Sequence, residues 1–354
     1  MNNITFLAQF PPPVHGLSKA VDTLYNSRLK DKYHFSKIDI TNNKRILQSL
    51  IALMRCNSDV IYFTPSQTRG GNLRDLLFLK LIQWKGKRCI IHIHGGYYRQ
   101  LVDNDLSGWQ KKMNYHAVKR LAGGIVLGHS LHGIFEGVLP DEKIFVCPNC
   151  VDNAFIASSI DKKLNEIIER KVLHILYLSN FIESKGYREV LELARMALER
   201  GDEDKFVFHF AGKFFDSKEE VYFKEYSKRL KNVVFHGVVG GQDKINLLQQ
   251  CHIFSLLSRY SNEGQPISIL EAMGNGMVVI TTDHAGIPEI ASYENGYVCC
   301  KGHIDVNDIY QYLLDCYQNR GRLVSVCEQN YCKVKDRYTE KQYIDNMDRI
   351  FEKL

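Results

Sequence analysis

The sequence predicts an α/β protein made of two successive, doubly wound, Rossmann-like domains that face each other across a cleft. Three observations predict it. The chain has 354 residues, enough for about two domains at roughly 150 residues each. Short β-rich apolar runs alternate with helical stretches, which implies βαβ units and parallel sheets covered on both faces. The alternation runs twice, its two halves joined at 150–171 by a polar linker with Asp152, Asn153, Ser158, Ser159, Asp161, Lys162 and Lys163.

In the first half the runs at 4–8, 35–40, 60–63, 89–93, 125–127 and 144–147 read as buried strands, with helical stretches at 17–29, 73–84 and 109–121 among them. In the second half the strands fall at 173–178, 206–211, 233–236, 253–257 and 278–281. The helix at 186–200 is well marked, because Tyr187, Val190, Leu191, Ala194 and Leu198 form one apolar stripe. Three further helices are expected near 305–318, 320–334 and 339–353. The first domain is placed at 1–155 and the second at 170–335. Ligands of open α/β sheets collect at the carboxyl ends of the strands, so functional residues are sought in the strand-to-helix loops.

Composition narrows the class. Hydrophobic residues make up 45% and charged residues 24%, which excludes disordered, collagen-like and coiled-coil chains. The net charge of +6 conceals an asymmetry. Residues 1–150 hold 20 Lys and Arg against 10 Asp and Glu, while the remainder holds 26 against 30. A basic half beside an acidic half suggests that one domain meets an anionic surface or ligand. The ten cysteines lack disulfide-framework spacing and read as reduced thiols, including the Cys147 and Cys150 pair. No secretory signal follows Met1, and no apolar run approaches the ~18 residues of a membrane span. A cytoplasmic protein, peripheral on a membrane at most, is expected. Nucleic acid is not expected as a partner, for want of a recognition-helix motif or regular aromatic and basic interleaving.

Two segments carry chemistry. In Ser261-Asn262-Glu263-Gly264-Gln265-Pro266-Ile267-Ser268-Ile269-Leu270-Glu271, Pro266 suits a first helical residue. The free amides of Ile267 and Ser268 then form a phosphate site, with a carboxylate on each side to grip the hydroxyls flanking a diphosphate. In Leu178-Ser179-Asn180-Phe181-Ile182-Glu183-Ser184-Lys185-Gly186, Lys185 stands where a strand passes into a helix, so its ammonium would add to helix amides in neutralising a leaving diphosphate.

With Pro148-Asn149, Val151-Asp152, Gly286-Ile287-Pro288-Glu289 and Asn295-Gly296, these segments resemble the family 4 retaining glycosyltransferases over about 145–300. The resemblance implies the GT-B architecture, a nucleotide-sugar donor held mainly by the second domain, an acceptor held by the first, and a final helix at 338–354 that packs back on the first domain. It implies that Lys185 contacts the donor diphosphate, Glu271 the ribose hydroxyls and Glu263 the transferred sugar, with Gly264, Ile267 and Ser268 alongside. Gly16, in the loop Pro11-Pro12-Pro13-Val14-His15-Gly16, matches the family's turn over the donor phosphates, and His94 the histidine that approaches the donor sugar. Asn180 stands where the family often has Arg, so Lys185, helix amides, or a cation such as Lys213 or Arg259 would carry more of the diphosphate charge. Asp103-Asn104-Asp105 and Asp202-Glu203-Asp204 look like metal-binding DxD motifs. The first does not follow a strand directly and the second reads as a polar turn; no metal and no cofactor are expected.

The leading expectation is therefore a retaining glycosyltransferase with a UDP-linked nucleotide sugar as its substrate. Its acceptor is expected to be a polyprenyl-diphosphate-linked saccharide of a capsule, exopolysaccharide or O-antigen, met at the inner face of an anionic membrane through the basic first domain. A GT-B nucleotide-sugar 2-epimerase and a non-catalytic nucleotide-sugar binding protein remain as alternatives.

Overall fold

The computed structural model describes residues 3–13, 16–169 and 171–354. Val14 and His15, in the first strand-to-helix loop, lie outside them. The chain divides into two units, and the first consists of the described residues up to Cys150 together with Ser261–Gln265 and Glu340–Leu354.

Unit 1 runs β1 (Asn3–Ala8), α1 (Gly16–Tyr25), β2 (His34–Asp39), α2 (Ile46–Arg55), β3 (Val60–Phe63), α3 (Arg69–Trp84), β4 (Arg88–His92), the single turn α4 (Tyr98–Gln100), α5 (Gly108–Val118), β5 (Gly123–Val126) and β6 (Ile144–Val146). Its six strands form one parallel sheet in the order β2-β1-β3-β4-β5-β6. Val60, Ile61, Tyr62 and Phe63 are all buried, as a strand covered on both faces requires. The helix expected at 17–29 ends at Tyr25. Ser27 instead caps a separate turn at Arg28–Asp31, its hydroxyl accepting from the Leu29 amide at 3.2 Å, the competition that makes serine a better cap than helix interior.

Unit 2, Val151–Tyr260 with Pro266–Thr339, runs α6 (Asp161–Glu169), β7 (Leu173–Leu178), α7 (Tyr187–Glu199), β8 (Phe206–Ala211), α8 (Ser217–Ser227), β9 (Val233–Phe235), α9 (Gly241–Gln250), β10 (Ile253–Leu256), α10 (Ile267–Met273), β11 (Val278–Thr282), α11 (Ile287–Ile290), β12 (Gly296–Cys299), α12 (Val306–Gln318) and α13 (Arg320–Arg337). The strand order is β9-β8-β7-β10-β11-β12. Counted from the first strand of the unit this is the 3-2-1-4-5-6 winding of dinucleotide-binding sheets.

The polar stretch at 150–171 is not a linker. It contributes Val151, Ala157, Ile160, Leu164 and Ile167 to the core of unit 2, and α6 buries Lys163 as well. The Lys163 Nζ donates to the carbonyls of Leu248 at 2.8 Å, Cys251 at 2.8 Å and Asn275 at 2.6 Å. Those carbonyls end α9 and follow α10, so one ammonium satisfies acceptors that helix ends leave open.

The last helix, α14 (Glu340–Glu352), belongs to unit 1. Its inner stripe of Tyr343, Met347, Ile350 and Phe351 enters the core there, and the Phe351 ring meets Tyr33, Phe35 and Tyr62 edge-on. Lys32 pairs with Asp348 at 2.8 Å, and the Tyr33 hydroxyl donates to the same carboxylate at 2.9 Å. Among the described residues no helix is long and apolar enough to cross a membrane.

Replacing Lys163 by Met keeps the aliphatic stem but leaves three buried carbonyls without a donor. The variant is expected to lose about 2–4 kcal/mol of stability, read as a lower urea midpoint at unchanged slope.

Candidate active site

In unit 2 the winding reverses between β7 and β10, the switch point at which such sheets bind ligands. The loops that follow those two strands carry the residues singled out in the sequence. After β7 the Tyr177 hydroxyl donates to the Asn180 carbonyl at 2.8 Å and the Phe181 amide to the Lys213 carbonyl at 3.0 Å. Glu183–Lys185 then forms a tight turn, and Gly186, at φ +80°, starts α7. A side chain there would be strained by the dihedral and would stand 2.5–2.9 Å from Leu257, so glycine alone lets the two loops close together. The Ser184 carbonyl accepts from the Arg259 amide at 2.6 Å, and the Lys185 Nζ lies 5.1 Å from the centre of the Tyr260 ring.

Asn180 is exposed. Of the two cations considered as replacements for an Arg there, Arg259 is paired with Glu189 at 2.6 Å, and Lys213 is exposed beside the Phe215 ring.

Pro266 is not the first helical residue. At φ −64° and ψ 113° it is extended and precedes α10, because it closes the connection that arrives from unit 1. Ile267 and Ser268 begin the helix and are half-buried. Glu271 is buried, and its Oε1 accepts from the Lys244 Nζ at 2.7 Å. Burial holds its carboxyl above the ordinary glutamate range even though Lys244 pulls the other way. Lys244, on α9, also lies 4.3 Å from the Phe155 ring centre. Nothing in its local sequence marks it, since its partner is 27 positions away.

The other named residues sit in unit 1. The segment Ser261–Gln265 leaves unit 2 and is hydrogen-bonded into this one. The Gln265 side chain accepts from the Asn149 amide at 3.0 Å and donates to the Leu127 carbonyl at 2.7 Å, while the Asn149 side chain donates to the Gln265 carbonyl at 3.0 Å. The Glu263 carbonyl accepts from the Gly96 amide at 2.7 Å. At Gly264 a Cβ would come within 2.3 Å of the His94 carbonyl oxygen, so the two backbones touch. Glu263 and Gly264 are therefore brought to His94 in unit 1, while Glu271 belongs to unit 2.

His94 follows β4 and its ring lies over that of His92, 4.0 Å between centres. His92 is fully buried, bonds the Tyr62 hydroxyl through Nδ1 at 2.7 Å, and is kept neutral by burial and by His94. Gln67, after β3, accepts from the Tyr97 amide at 2.8 Å. Tyr62, Gln67, His92 and Gln265 were not singled out in the sequence, since each is recognisable only once β3, β4 and the 261–265 segment are side by side. Gly16 opens α1 and is exposed.

The two DxD look-alikes have internal partners. Asp103 accepts from Tyr115 at 2.5 Å and Arg99 at 2.6 Å and pairs with Lys111 at 3.0 Å; these partners outweigh its burial and hold its carboxyl down to about 2. Asp202 binds Lys205 and Tyr310, both at 2.5 Å.

Residues 159–330 match the family described as Glycosyl transferases group 1. Most of the matched stretch lies in the second unit. Three similar proteins place this glycosyltransferase in context. An uncharacterized 41.2 kDa protein in the cps region of Klebsiella pneumoniae is 24% identical over 280 residues, covering 75% of this chain and 74% of that one. The N,N'-diacetylbacillosaminyl-diphospho-undecaprenol alpha-1,3-N-acetylgalactosaminyltransferase of Campylobacter jejuni is 26% identical over 193 residues, 54% of this chain and 48% of that one. The crystal structure of Anabaena HepE in complex with UDP superposes with a TM-score of 0.77 over 100% of both chains at 13% identity. That likeness is one of fold, and it gives the glycosyltransferase the GT-B architecture of two Rossmann-like domains.

Removing the Lys244 ammonium by a Met substitution strands the Glu271 carboxylate. The variant is expected to lose about 2–3 kcal/mol at pH 7, less than a fully buried pair because Lys244 is partly exposed. Its Glu271 value, already above 4.5, rises further, so the folded state binds a proton that the unfolded state has lost. The deficit is small near pH 4.5 and grows as pH rises through the folded value. Urea titrations across pH 4.5–8 check the sign, and a second change, Glu271→Gln, should remove the pH dependence.

Proposed function

We propose that the protein is a retaining glycosyltransferase that moves a sugar from a UDP-linked donor to a polyprenyl-diphosphate-linked saccharide during assembly of a bacterial surface polysaccharide. The observation that carries the donor half is Lys185, held by Gly186 and Tyr260 at the switch point of a 3-2-1-4-5-6 sheet. UDP bound to a protein of the same fold supports the nucleotide. The Campylobacter relative's diphospho-undecaprenol acceptor and the Klebsiella relative's place in a cps region support the acceptor class.

In this reading the Lys185 ammonium and the first amides of α10 take up charge as the bond from the anomeric carbon to the diphosphate oxygen breaks. The acceptor hydroxyl attacks from the face the diphosphate leaves, and its proton passes to the departing diphosphate oxygen, so configuration is retained. Glu271, steadied by Lys244, accepts the ribose hydroxyls. Glu263 orients the transferred sugar and offsets the positive charge that develops on it, and His94 and Gly264 border the same sugar. Gly16 and Asn180 complete the donor contacts. Most of the acceleration comes from orientation and charge stabilisation, with no covalent glycosyl-enzyme.

Two measurements test this. A panel of nucleotide sugars should raise the thermal midpoint for a UDP-linked donor above all others, since ligand binding stabilises by mass action; equal shifts for every nucleotide would refute the assignment. With that donor and a lipid-linked acceptor, Lys185→Ala and Glu263→Gln should each lower the transfer rate by about 10²–10³-fold while remaining folded, and the product should keep the donor's anomeric configuration.

A further inference from the structure

The three helices on one face of unit 1 pack inward through apolar residues such as Leu53, Phe78 and Ile82 together with a few polar anchors, and turn further apolar side chains outward. On the side of α3 and α5 that faces the protein, Asn72 and Asn114 exchange two amide hydrogen bonds at 2.9 Å. Arg74 reaches from α3 to the Ile40 carbonyl at 3.2 Å and to Asn43 at 2.7 Å, tying α3 to the start of α2. Lys85 caps the end of α2, donating to the carbonyls of Leu53, Met54 and Cys56. The platform is thus fixed from beneath by buried polar groups.

Its outer side is apolar as well. On α2, Leu47, Ile51 and Met54 stand out at i, i+4 and i+7, Leu47 being 71% exposed. On α3, Leu73, Leu77 and Trp84 stand out at i, i+4 and i+11, and on α5 Trp109 and Met113 at i and i+4. Among the described residues, every large apolar side chain that unit 1 leaves open to solvent lies on these three helices. The chain contains two tryptophans, and both are here, 75% and 59% exposed. A soluble surface rarely gathers its apolar side chains on one face in this way.

Charge says what covers it. The three helices carry one carboxylate, Asp75, which is buried against Arg74 at 2.8 Å. The exposed charges on the helices and within two residues of their ends are cations, among them Lys44, Arg45, Arg55, Lys80, Lys112 and Arg120. Outward tryptophan, leucine and methionine with flanking lysine and arginine, and no exposed acid on the helices themselves, is the pattern of a surface that lies in the lipid interface: rings and aliphatic chains enter the headgroup boundary while cations meet anionic headgroups.

We infer that the outer face of α2, α3 and α5 docks on an anionic lipid bilayer by inserting these apolar side chains. This deepens the proposed reaction, on which it rests for its purpose, by naming the surface that would bring unit 1 to a lipid-linked acceptor. The docking itself is read without sugar transfer.

The two tryptophans make the intact protein its own probe. With vesicles of mixed phosphatidylglycerol and phosphatidylcholine, its emission should shift to the blue and be quenched when the acyl chains are brominated. Ile51→Glu together with Leu77→Glu, both at exposed sites, should lower vesicle affinity by at least about tenfold while keeping the wild-type circular dichroism, thermal midpoint and transfer to a water-soluble acceptor. Failure to bind, or binding without tryptophan quenching, would overturn the inference; the latter would mean attachment by charge alone. So would tryptophans already buried in a vesicle-free dimer seen by sedimentation. If docking holds while no sugar transfer is found with any donor, the proposed reaction fails and the lipid surface stands.

Discussion

Parallel pairing is the constraint from which the arrangement of this molecule follows. A parallel strand cannot be joined to its neighbour by a tight turn, so each connection crosses over and most cover the sheet with a helix. Among the described residues all twelve strands are parallel, in two sheets of six. The carboxyl ends of each sheet therefore collect loops that are free of the packing demands met by the strands. Where the winding reverses, two such loops diverge to opposite faces and leave space beside the strand ends. Lys185 and residues 257–260 in unit 2 issue from that place, as Gln67 in unit 1 does from the β3 side of its own reversal between β1 and β3.

The glutamates eight positions apart show how environment divides labour between like groups. Glu271 is fixed through its carboxylate, buried and paired with Lys244, and an acceptor so held offers an oriented oxygen rather than a mobile charge. Glu263 is fixed through its backbone, by the Gly96 amide and by the closeness of Gly264 to His94. The proposed roles, binding for one and alignment of a reacting sugar for the other, rest on that contrast.

Much of the fold was legible in the sequence because buried parallel strands are short apolar runs, and those at 60–63, 173–178 and 206–211 fall where β3, β7 and β8 lie. β12 escaped because Gly296-Tyr297-Val298-Cys299 is brief and only partly buried. The stretch at 150–171 read as a linker because its polar residues outnumber the buried ones, although Ile160, Leu164 and Ile167 are core and even Lys163 is interior. Within the candidate site, Lys185 was legible from its place between strand and helix. Lys244, Gln265 and His92 were not, since what they do depends on partners 27 to 138 positions away. The outward stripes of α2 and α3 carry the same periodicity as inward ones, and only the sheet's position says which way they point.

Unit 1 is discontinuous, and this bears on how the protein is made. Its aromatic cluster of Tyr33, Phe35 and Tyr62 is closed by Phe351 from α14, and its Asn149 and Leu127 hydrogen bonds are completed by Gln265. A ribosome adding about 5–20 residues per second reaches α14 roughly ten to forty seconds after it has finished β6. Throughout that interval the nascent first sheet waits with part of its interior open to chaperones, while the second sheet assembles behind it.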